Sequence, residues 1–107
     1  MTRTESLAVL AAGALALVPA AARAAGLIRF RNVSFDEGVT VEVRVGASLD
    51  AAALYGTRKL VRSEEWEVDT AGSPAWWRRE SAPGSNDGRY TDWQHVETSS
   101  GDVRVDV

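Results

Sequence analysis

The stretch Val39-Thr40-Val41-Glu42-Val43-Arg44-Val45 sets four β-branched apolar residues at every second position, with Thr, Glu and Arg between them. In a helix those valines would scatter around the circumference; in a strand they share one face. The segment therefore reads as a strand with one dry and one wet side, as in an antiparallel sheet solvated on one face. Asp36-Glu37-Gly38 turns the chain into it and Gly46 closes it.

The same period recurs on both sides. Ile28 and Phe30 alternate with Arg29 and Arg31, after which Val33 and Phe35 carry the apolar phase. A bulge at Asn32-Val33-Ser34 would account for that shift. Those three residues also have the form of a glycosylation sequon, although an ordinary strand end is the simpler reading. Ala47–Gly56 is compatible with a short helix capped by Ser48 and ended by Gly56, or with a loop or an edge strand. Thr57–Val61 reads as a strand carrying Leu60 inward. Trp66 and Val68 alternate with Glu65, Glu67 and Asp69, and Val103, Val105 and Val107 make a last short strand. Strands at this spacing, separated by turn residues, predict an all-β fold: a small antiparallel β-sandwich or barrel of six to seven strands.

Residues 1–24 are expected to stand outside that domain. Leu7–Val18 is 12 residues of Leu, Ala, Val and Gly after Arg3, and Ala22-Arg23-Ala24 offers small residues for cleavage. This is the layout of a secretory signal peptide, and the run falls short of the ~20 residues of a membrane span. The expectation is a secreted or periplasmic protein whose single β domain covers residues 25–107, with no membrane span in the mature chain. Removing Arg3, Glu5 and Arg23 leaves 10 basic and 14 acidic side chains. That balance argues against nucleic acid as a partner, because phosphate binding needs clustered Lys and Arg.

The chain has no Cys. A small exported domain without disulfides must draw its stability from apolar burial, and aromatic rings supply the most area per residue. Four Trp therefore have a structural use before a functional one. Three of them lie in Ala75–Trp93, AWWRRESAPGSNDGRYTDW, which reads as a hairpin of arms Ala75–Glu80 and Arg89–Glu97. The preferred register sets Arg78 opposite Asp92, Trp77 opposite Trp93 and Ala75 opposite His95. It gathers Ala75, Trp77 and Trp93 on a core face. It leaves Trp76, Arg78, Glu80, Tyr90, Asp92 and Gln94 on the other. Trp76 and Trp77 are consecutive in a strand, so they point to opposite faces.

The candidate ligand-binding residues are accordingly Trp76, Tyr90, Arg78, Asp92 and Gln94: flat rings for stacking, with a polar rim for hydrogen bonds. A glycan, a peptide or another protein fits such a surface, and core packing or an Arg laid over the ring is the competing use. Catalysis is not expected. His95 is the single histidine, no nucleophile motif accompanies it, and without Cys the common zinc sets cannot form. Ser85-Asn86-Asp87-Gly88 lacks the spaced carboxylates of a calcium loop and suits a turn. Glu65, Glu67 and Asp69 read as a solvated strand face, not as a glycosidase pair set in a cleft. No metal or cofactor is expected. The alternative function is a structural or assembly module that pairs through a sheet edge.

Overall fold

The computed structural model describes residues 26–107; the expected signal peptide lies outside them. Seven strands follow in order: β1 (Leu27–Arg31), β2 (Val39–Val45), β3 (Ala53–Leu60), β4 (Glu65–Asp69), β5 (Ala75–Arg79), β6 (Gln94–Val96) and β7 (Val103–Asp106). They form two sheets, β4-β1-β7 and β3-β2-β5-β6. No helix occurs among the described residues.

The alternating valines of β2 take the centre of the larger sheet. β2 pairs with β3 on one side and β5 on the other, and Val39, Val41 and Val43 are fully buried. β1 holds the corresponding place in the smaller sheet and buries Ile28 and Phe30. The two sheets meet in a sandwich-like arrangement. The Phe30 ring lies 5.9 Å from Trp66 of its own sheet and 5.7 Å, edge-on, from Trp77 of the other. Leu60, Val68, Ala75, Val96 and Val107 complete the buried cluster. At one end two buried threonines tie strand ends together. Thr70 Oγ1 donates to Gly26 O at 2.9 Å and lies 2.7 Å from Thr98 Oγ1, while Gly26 N donates to Thr98 O.

One pairing departs from the antiparallel expectation. β7 runs parallel to β1, with Ile28 opposite Val103 and Phe30 opposite Val105. Alternation identifies which face of β7 is dry, but it carries no information on the direction of the strand beside it. The undecided stretch Ala47–Gly56 divides: its first part turns, and Ala53–Gly56 open β3, an edge strand of the larger sheet. Ser48 accepts the Ala51 N–H through both its carbonyl and its hydroxyl oxygen. Gly46 is required here, since a Cβ on it would sit 2.6 Å from the Cα of Ala52.

The bulge expected at Asn32 is instead a turn built on a buried side chain. Asn32 Oδ1 accepts N–H groups from Ser34 and Phe35, and Nδ2 donates to the carbonyls of Phe35 and Leu60. With Asn32 wholly buried, the sequon is closed to a glycosyl transferase in the folded chain. A register shift does occur in β3. Val43 pairs with Gly56 but Arg44 with Leu54, so Tyr55 is the extra residue.

At the turn into β4, Glu64 accepts the Val61 N–H at 3.0 Å and the Arg58 guanidinium at 2.6 Å. The Val61 N–H, and then Arg58, hold its carboxyl below the usual carboxylate range against a partial desolvation. A carboxyl whose pKa falls on folding adds stability above its unfolded pKa, and loses it as pH drops through the folded value. Glu64→Gln should therefore be less stable than the parent at neutral pH, and the gap should close on acidification. Urea midpoints of both proteins between neutral and strongly acid pH check this; a gap that does not change with pH contradicts it. Solvent reaches this pair, so the effect is small.

Candidate functional site

The outer face of the four-stranded sheet carries the aromatic and charged residues that the fold leaves half covered. β5 lies between β2 and β6, with Glu42 opposite Arg78, Arg44 opposite Trp76, and Trp76 opposite His95. The Trp76 and His95 rings stack at 4.4 Å and 25°. The Trp76 indole N–H donates to Gly46 O at 3.3 Å, and His95 Nε2 lies 3.0 Å from Glu97 Oε2.

Next along the strand, the Arg78 guanidinium lies 4.5 Å from the Trp93 ring and 4.7 Å from the Tyr90 ring. It is held by Glu42, which takes its Nε at 2.9 Å and an Nη at 2.8 Å. Glu42 is nearly buried and also faces Arg44 Nε at 3.4 Å. A carboxylate with so little water needs such partners. Arg44 in turn lies 5.5 Å from the Trp93 ring. The result is a row in which rings alternate with two guanidinium groups that share one carboxylate, Glu42.

The hairpin register differs from the expected one. At its loop end Glu80 bridges Tyr90, as expected, but at its base Trp77 pairs with Gln94 and Ala75 with Val96. From one point to the other β5 advances three residues and its partner four, so one extra residue is absorbed in Thr91–Trp93. Thr91 makes that adjustment. Its N–H donates to Arg79 O, while its hydroxyl accepts the Arg79 N–H. An extra residue exchanges the two faces. Trp93 therefore leaves the core side and lies over Arg78 and Arg44, whereas Trp77 packs on Phe30 as expected.

Of the five candidate residues, Trp76, Arg78 and Tyr90 share the outer face. Trp76 and Tyr90 are not neighbours: Tyr90 sits across from Glu80, four residues or ~13 Å along β5 from Trp76. Arg78 and Trp93 fill the gap between them. Gln94 pairs with Trp77 and so belongs by register to the opposite side, exposed at the sheet edge. Asp92 is exposed and joins no ion pair among the described residues.

Four members of the row escaped the sequence reading: Glu42, Arg44, Trp93 and His95. Glu42 and Arg44 are legible as the wet side of β2, but nothing local says that β5 lies beside them. The Ser85–Gly88 oxygens serve the turn. Ser85 Oγ donates to Ala82 O, and Asp87 Oδ1 accepts the Arg89 N–H. No group of three or more His, Cys, Asp or Glu is arranged to hold a metal among the described residues. Glu65, Glu67 and Asp69 lie exposed on the outer side of the other sheet, where Glu67 meets Arg29 at 3.5 Å. No protein-family model, curated protein or solved structure matches this chain.

Proposed function

We propose that this chain is an exported, non-enzymatic binding domain, working in a secreted or periplasmic compartment, whose ligand lies along the outer face of the four-stranded sheet. The observation that carries this reading is the row Trp76–His95, Trp93, Arg78 and Tyr90, in which Arg78 is bound by Glu42. Among glycans, peptides and protein surfaces, a glycan suits it best. The rings are half-exposed, with Arg78 laid over Trp93 and Tyr90 and His95 stacked on Trp76, so the surface a sugar would stack on is the part of each ring that these neighbours leave uncovered. Arg78 and Arg44 share the single carboxylate of Glu42, which leaves one net positive charge to hydrogen-bond sugar oxygens. Ordering the row before binding also lowers the entropy lost on association.

Titration against a glycan array, followed by Trp76→Ala and Trp93→Ala, tests the reading. Loss of one stacking ring should weaken binding by about tenfold, or ~1.4 kcal/mol. Affinity unchanged in both variants would sink the proposal; retention of a peptide instead of a sugar would redirect it to the peptide class.

A second reading, an assembly module that pairs through a sheet edge, is favoured by β3. This eight-residue strand is an edge of its sheet, and Leu54, Tyr55 and Val61 in and beside it are three of the four large apolar residues exposed among those described.

A further inference from the structure

The free edge of β3 has two halves of different chemistry. Its first half, Ala53-Leu54-Tyr55, is uncharged and apolar; its second half, Arg58-Lys59-Leu60, carries two positive charges. No other described strand pairs on its outer side. An edge of this length presents a row of backbone donors and acceptors, and Arg58, Lys59 and the Tyr55 bulge restrict which chain and which register can pair with it. A parallel copy would set Arg58 against Arg58 and Lys59 against Lys59. An antiparallel copy centred on Gly56 and Thr57 sets Ala53 against Leu60, Leu54 against Lys59 and Tyr55 against Arg58.

Those three pairs must also agree in face, and the Tyr55 bulge makes them agree. Leu60 and Arg58 sit opposite Val39 and Val41, on the inner side, and Lys59 sits opposite Thr40, on the outer side. Beyond the bulge, Leu54 pairs with the outer Arg44 and Ala53 with the inner-facing Val45, while the Tyr55 ring lies 6.2 Å from Trp66 on the inner side. Each apolar residue thus meets a partner on its own face. In a strand without the extra residue, every one of these pairs would be split between faces. The mismatch is confined to the centre, where Gly56 has no side chain to place.

We infer that β3 is a homodimer edge, pairing antiparallel with β3 of a second copy about Gly56 and Thr57, with Tyr55 of each chain over Arg58 of the other. The inference rests on the assembly reading and names its partner. The Tyr55–Arg58 contact is of the ring–cation kind, and the Lys59 stem covers Leu54 while its ammonium reaches water.

Sedimentation equilibrium of the full chain should show the average mass rising toward twice that of the monomer as concentration increases. The β3 amides should exchange about tenfold more slowly once dimer dominates, because only the small monomer fraction leaves them open. Leu54 is well exposed, so substitutions there leave the fold intact. Leu54→Glu places a carboxylate against Lys59 of the second copy and should tighten the dimer severalfold; Leu54→Lys should weaken it severalfold. If both variants weaken association alike, contact is through apolar surface in some other geometry and the register is overturned. A strict monomer overturns self-pairing altogether. In that case an added acidic strand peptide, EWEVDT, separates the two ideas. Protection of β3 by the peptide keeps the edge as an assembly site for another chain, and no protection removes the assembly reading as well.

Discussion

Phe30→Ala should lose about 3–5 kcal/mol, the range for truncating a buried Phe. Phe30 is fully buried, and its ring touches Trp66 in one sheet and Trp77 in the other. Removing it opens a void at the place where the sheets are joined, and two large rings cannot collapse into the gap without leaving their strands. A domain of this size has in total only ~4–12 kcal/mol to lose. No Cys is present to hold the chain by a disulfide. The variant should therefore lose between about a quarter and all of that stability, as read by urea denaturation followed by circular dichroism. Phe30→Leu, which keeps most of the volume, should lose far less. A Phe30→Ala midpoint near that of the parent would show that the sheets are held together elsewhere.

Asn32→Asp should be strongly destabilised at neutral pH and partly restored in acid. The buried amide both donates and accepts: two N–H donations to Phe35 O and Leu60 O, and two acceptances from Ser34 and Phe35. An ionised carboxylate can only accept, so both donations are lost and two carbonyl oxygens face a negative charge. Burial and those carbonyls raise the folded pKa of the new carboxyl above its unfolded value of ~3.9. The penalty relative to the parent is then smallest below the unfolded pKa and grows as pH rises through the folded one. Asn32→Ala, which removes all four bonds without adding a charge, should lose of order 3 kcal/mol at every pH. Urea midpoints of the three proteins across pH check both statements. A penalty for Asn32→Asp that does not vary with pH would mean that the carboxylate finds water or a cation.

How much of this was legible depends on the range over which each feature is decided. Val39–Val45 is readable because a period of two is a property of the chain itself, and burial of three of those valines follows from it. The opposed directions of Trp76 and Trp77 follow from strand geometry alone, and Trp77 is indeed the one against Phe30. Asn32 looked like a sequon at a strand end because its role depends on the carbonyl of Leu60, 28 residues away. Local pairing leaves the side of Trp93 open, because a one-residue slip of the hairpin offers charge and aromatic pairs as good as those of the preferred register. One extra residue near Thr91, fixed by bonds to Arg79, reversed its side. The pairing of Glu42 with Arg78 likewise spans 36 positions.

By itself the sequence determined the all-β class, the dry faces of β1, β2, β4 and β7, and the need for aromatic burial in a chain without Cys. These are set by side-chain period and composition, which need no knowledge of neighbours. Only the tertiary structure decided that β7 runs parallel to β1, that β2 lies beside β5 with Glu42 opposite Arg78, and that Trp93 lies on the outer face over two arginines. Those features are pairings between distant segments. Many registers satisfy local preferences to within a fraction of a kcal/mol per pair, and packing the whole core selects among them.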